Sequence, residues 1–208
     1  VQHRRMVLRP RYWLYYALVF IGGARRQIFV VFAPFMMVER FGLEVYEVTG
    51  LMLANYAATI VFAPIAGRMI QRFGERTALI VEYVGLFAVF VLYAGIYVFH
   101  WGVGLAMALY VIDHLLFALA IAHRTYFQKI ADPADQAPTA AVSFTINHIA
   151  AVTLPAPLGL LWLAAPGAVY GLAAALALAS LMLAFLVPRH PGPGHETVLA
   201  PPAPQPAE

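Results

Sequence analysis

The stretch Gly67-Arg68-Met69-Ile70-Gln71-Arg72-Phe73-Gly74-Glu75-Arg76 decides how this chain is organised. It places Arg68, Arg72 and Arg76 between two apolar runs, about residues 48–70 and 77–99. At about 1.5 Å rise per residue, each run is long enough to cross the roughly 30 Å hydrocarbon core of a bilayer as a helix. So short a connection predicts an antiparallel hairpin. Its arginines put the connection on the cytoplasmic side, where Lys and Arg accumulate in short loops.

Composition supports a membrane reading. Hydrophobic residues make up 62% of the chain and charged residues 11%. Soluble domains are nearer half apolar and a quarter charged, so much of this surface must be covered by lipid. The net charge of +3 does not point to nucleic acid, because the basic residues fall in short loops. The chain has no cysteine, which excludes disulfides, thiol catalysis and thiolate metal sites. No cofactor or metal is expected. No cleavable signal peptide is read: the apolar run after the basic N-terminus is too long and carries two arginines.

Outward from the hairpin, six spans are expected at about 12–38, 48–70, 77–99, 101–122, 138–163 and 167–187, forming one bundle over residues 1–187. Ten of the thirteen Lys and Arg then lie on one side: Arg4, Arg5, Arg9, Arg11, Arg68, Arg72, Arg76, Arg124, Lys129 and Arg189. Only Arg40 lies on the other, so both termini are expected to be cytoplasmic. Trp13, Tyr15 and Tyr16 read as an interfacial aromatic belt. Asp132-Pro133 reads as a helix cap followed by Pro at the first helical position, opening a short surface helix. Pro155 and Pro157 are expected to bend the fifth span. Residues 188–208 are rich in proline and alanine and are expected to be disordered.

The hairpin loop resembles the Gly-x-x-x-Asp-Arg-x-Gly-Arg-Arg signature of the major facilitator superfamily. Gly67, Arg72, Gly74 and Arg76 match at the family spacing; Gln71 replaces the acidic residue and Glu75 a basic one. The resemblance implies an all-α fold of two inverted three-helix repeats, with this loop acting in cytoplasmic gating. Gly67 is expected to admit a close neighbouring helix and Gly74 a tight turn. The degraded motif and the trailing segment suggest the C-terminal half of a twelve-helix transporter in the bacterial inner membrane. Its partner would be a second six-helix half, either a missing N-terminal half or a separate subunit.

Polar residues deep in the spans mark the candidate site. Arg25 and Arg26 lie near the middle of the first span, Asp113 and His114 near the middle of the fourth, and Asn147 and His148 halfway along the fifth. An arginine at mid-bilayer costs about 2.5–3.5 kcal/mol on insertion scales, so such residues are kept for function by default. The expected function is secondary active transport, symport or antiport, of a small organic solute. Arginine would hold a carboxylate or phosphate, and Asp113 or a histidine would carry a coupling proton. The competing structural reading is a closed network of Arg25, Asp113 and His148. Glu82 is expected to reach the cytoplasmic interface or to pair with Arg68 or Arg76.

Other classes fit less well. A haem-based electron carrier would need two facing imidazoles, and the spacing of His114, His123 and His148 does not enforce that. No hydrolase motif occurs, so an enzyme is not expected. Efflux of drug-like solutes, or a non-transporting assembly role, stands as the alternative within the same fold.

Overall fold

The computed structural model describes residues 8–199. Arg4, Arg5 and residues 200–208 lie outside the described residues. Seven α-helices follow in order: α1 Trp13–Phe41, α2 Val45–Phe99, α3 Val103–Phe117, α4 Ile121–Ile130, α5 Pro133–Thr153, α6 Pro155–Ala164 and α7 Pro166–Ala184. A 3₁₀ turn, Ala118–Ala120, joins α3 to α4, and another, Pro10–Tyr12, leads into α1. Five helical stretches are long and apolar enough to cross a membrane: Pro10–Phe41, Val45–Phe99, Val103–Ile130, Pro133–Ala164 and Pro166–Ala184.

α2 has 55 residues. Straight, it would be about 80 Å long, far beyond a bilayer. It is interrupted at a single residue, Gly74, with φ 82° and ψ 164°, a conformation essentially confined to glycine. Arg40, shortly before α2 begins, donates to the carbonyl of Ile96 near its far end at 3.2 Å. Glu75, beside the break, pairs with Lys129 at the end of α4 (2.7 Å). The arms 45–73 and 75–99 therefore double back on one another. The connection is tighter than the ten-residue loop read from the sequence, because Arg68, Gln71 and Arg72 are good helix formers and continue the helix to Phe73. Gly67 is helical, and a Cβ added there would meet nothing within 4 Å among the described residues. The close helix approach expected at Gly67 is therefore not found.

The arm 75–99 is the centre of the bundle. Ala78, Leu79, Tyr83, Leu86, Phe90 and Tyr93 are buried, at the three- and four-residue spacing of one helix face. Tyr93 stacks on Tyr170 of α7 (4.9 Å, 15°) and donates to the carbonyl of Ala106 of α3 at 3.1 Å. A Cβ on Gly85 would stand 2.6 Å from Leu116, so glycine lets α3 press against this arm. The arm 45–73 is peripheral, with only Val48, Asn55, Ala66 and Ile70 buried.

Three local expectations differ from the structure. Tyr15 and Tyr16 are buried rather than interfacial; Tyr15 stacks on Phe127 at 4.3 Å, leaving Trp13 exposed. Pro133 does begin α5, but that helix runs unbroken to Thr153 with no separate surface helix. Asp132 makes no side-chain cap bond, because its carboxylate takes Arg11 instead. The segment after α7, expected to be disordered, is seated on the bundle as far as it is described. Val198 N–H bonds the Leu186 carbonyl at 2.9 Å, Tyr126 donates to the Glu196 carbonyl, and Glu196 and Thr197 are buried. Backbone bonds hold this segment, which composition does not reveal.

Candidate functional site

Four of the six sequence-derived site residues line one cleft between α1, the arm 75–99 and α3: Arg25, Arg26, Asp113 and His114, with Phe29 and Phe117 among its apolar walls. Its enclosed part is about 30 Å³, room for one or two waters. Asn147 and His148 are not part of it.

Arg25 and Arg26 are adjacent and separate by function of geometry alone, since neighbouring helix positions point about 100° apart. Arg25 turns inward and is 3% exposed. Its Nη2 donates to Glu82 Oε1 at 3.3 Å. Glu82 is 0% exposed. This corrects the sequence reading of Glu82: it neither reaches the interface nor pairs with Arg68 or Arg76. It also replaces the closed network of Arg25, Asp113 and His148. The helix begins again directly after Gly74, so Glu82 is about 12 Å along the arm, deeper than a longer loop would put it. Glu82, paired to Arg25 beside the candidate site, is the residue that sequence reasoning places wrongly.

Arg26 turns to the exposed side of the bundle, its guanidinium 4.2 Å from the ring centroid of Phe117. Among the described residues no carboxylate lies within salt-bridge distance of it. Asp113 is 4% exposed, and its Oδ1 has no hydrogen-bond partner among the described residues; neither do Arg25 Nη1 and Glu82 Oε2. Unpaired buried polar atoms cost about 1–3 kcal/mol each, more for charged groups, and those of Arg25 and Asp113, which line the water-sized space, are suited to bridging water.

His114 is half-buried, edge-on to Tyr56 of the arm 45–73 (5.7 Å, 87°). Asn55, one position before Tyr56, is buried and donates to the Tyr110 carbonyl at 3.4 Å, which fixes that arm against α3. Asn147 is exposed and lies over Gly23 of α1, where a Cβ would stand 2.2 Å from its Oδ1. His148 is exposed, its Nδ1 2.8 Å from the Phe144 carbonyl. α5, α1, α3 and the arm 45–73 thus meet in sequence, each carrying a polar side chain near its midpoint.

Below the cleft, Tyr83 bonds His123 Nε2, and His123 Nδ1 lies 3.0 Å from the Ala120 carbonyl. His123 is therefore engaged inside the bundle rather than solvated at a span end. Among the described residues no three His, Asp or Glu side chains gather as a metal site would require.

Of the resemblance-derived loop residues, Gln71 and Arg72 are exposed, Arg76 is half-buried and Gly74 makes the turn. Comparison with protein-family models, with curated proteins and with solved structures gave no match to this chain.

Proposed function

We propose that this chain is a membrane bundle of six crossings, the arms of α2 counting as two, and forms one half of a secondary transporter for a small organic anion. Both termini would be cytoplasmic and the repeats inverted, as in the facilitator family; a bacterial cytoplasmic membrane is the expected setting. The observation that carries this reading is Arg26: a fixed cation near the middle of a long apolar helix, exposed, with no carboxylate paired to it among the described residues. Lipid cannot satisfy such a group, nor the exposed Asn147 side chain. Water and a second six-helix half can, and together they would complete a central path.

Arg25 is already neutralised by Glu82, so Arg26 is the anchor for the solute anion. The formal charges of Arg25, Arg26, Glu82 and Asp113 cancel when all are ionised. A monoanion arriving at Arg26 leaves one excess negative charge in a low-dielectric cleft. Protonation of Asp113 removes it, so solute and proton enter together. Gly74, with its flanking Arg72 and Arg76, would lie at the cytoplasmic gate.

The test is uptake by the full chain in liposomes, using a panel of labelled organic anions and an internal pH dye. Uptake with acidification is expected, lost in Arg26→Gln; Asp113→Asn is expected to uncouple the proton while exchange persists. Equal uptake by Arg26→Gln would overturn the anchor role, and no uptake of any solute by folded protein shown to be paired into a twelve-crossing assembly would favour a non-transporting assembly role.

A further inference from the structure

Arg26 is set in an aromatic surround. Its guanidinium lies over Phe117 at 4.2 Å. The Tyr56 ring stands edge-on to His114 (5.7 Å, 87°), which lines the same cleft as Arg26, and Tyr56 is 63% exposed. Behind His114, Phe29 stacks on Tyr110 at 4.9 Å, which holds the α1 and α3 walls rigid.

Resting on the transport reading above, we propose that the solute is an aromatic monocarboxylate, its carboxylate on Arg26 and its ring against Tyr56 and His114. The carboxylate preference follows from guanidinium geometry. The guanidinium is a planar fork whose paired N–H groups a carboxylate accepts two at a time. The single negative charge follows from Glu82, which already occupies Arg25 and leaves one guanidinium free. The ring follows from Tyr56 and His114, which offer π faces and edges that an aromatic group meets in offset or edge-on contact at about 4.5–7 Å, and that a saturated ring of equal size uses less well. A cation is disfavoured, because Arg26 lies on the open side and Asp113 is buried behind it.

The experiment uses the full chain in lipid nanodiscs, with benzoate, cyclohexanecarboxylate, acetate and benzylamine as probes, read by calorimetry and by thermal shift. Benzoate is expected to bind about three- to tenfold tighter than cyclohexanecarboxylate, acetate more weakly still, and benzylamine not at all. Tyr56→Leu should bring the benzoate-to-cyclohexanecarboxylate ratio close to one, while Tyr56→Phe retains it. Arg26→Gln should abolish binding of every carboxylate. Tyr56 is exposed, and unchanged melting temperatures of both Tyr56 variants serve as the folding control.

Equal affinity for benzoate and cyclohexanecarboxylate, still dependent on Arg26, would overturn the aromatic assignment and leave the transport reading standing. Ring-selective binding without uptake in liposomes by protein shown to be paired into a twelve-crossing assembly would support the aromatic site and overturn the transport reading. Failure of all four probes to bind a folded protein would overturn the aromatic assignment.

Discussion

Arg25 Nη2 meets Glu82 Oε1 at 3.3 Å across 57 residues of sequence, with exposures of 3% and 0%. The contact joins the middle of α1 to the centre of the bundle and consumes one of two adjacent arginines. The other, Arg26, is exposed and lies over Phe117 at 4.2 Å. A single helix step of about 100° therefore divides one dipeptide into a buried, paired cation and an exposed one.

Removing one member of that pair leaves an uncompensated buried charge, which costs about 3–5 kcal/mol. Glu82→Gln and Arg25→Gln should each destabilise the protein by that order, measured as denaturant or thermal midpoints in detergent. The double variant Arg25→Met/Glu82→Leu should cost clearly less than the two singles summed. Arg26→Gln should stay within about 0.5 kcal/mol, as for exposed substitutions. A large loss of stability in Arg26→Gln would mean that it, too, is a structural cation.

Gly67 and Gly74 should separate in the same assay. Gly74→Ala forces a Cβ into φ 82°, ψ 164° and should cost at least about 1–3 kcal/mol. Gly67 is helical with open space around it, so Gly67→Ala should gain about 0.5–1 kcal/mol. Equal losses at both positions would argue that Gly67 is covered by a partner in the preparation.

The contrast between these glycines bears on what was readable in the chain. Apolar runs and charged loops were enough to locate the long helices, and Arg25, Arg26, Asp113 and His114 stood out because charge is rare in such runs. They meet in one cleft because they lie at similar depth on α1 and α3. Glu82 was misplaced because its depth was counted from a loop that the structure compresses to Gly74. Asn147 and His148 were visible as polar, but their facing was not. Lipid and protein interior are equally apolar, so hydropathy does not say which side of a membrane helix packs. The segment after Val187 lacks an apolar run, yet backbone bonds and the burial of Glu196 and Thr197 seat it.

The proposed six-crossing arrangement makes a direct topological prediction. The chain has no cysteine, so single cysteines report cleanly. Arg72→Cys should react with a membrane-impermeant maleimide only from the cytoplasmic side, and Glu44→Cys and Gly102→Cys only from the opposite side. Labelling of all three from one face would mean that the arms of α2 do not cross separately.

The segment beyond α7 gives the last prediction. Tyr126 is fully buried, and its hydroxyl donates to the Glu196 carbonyl. A neutral hydrogen bond of this kind contributes about 0.5–1.5 kcal/mol net, so Tyr126→Phe should lower stability by that amount. Deletion of residues 189–208 removes the acceptor and also uncovers the Tyr126 ring, so it should cost more than Tyr126→Phe. Its effect should be local, with amide exchange rising in α4 and next to Gly74, where the Arg189 carbonyl packs, and little change at Tyr93 or Tyr170. The two changes should not add, since each removes the same contact. Unaltered exchange in α4 after the deletion would show that the segment rests on the bundle without holding it.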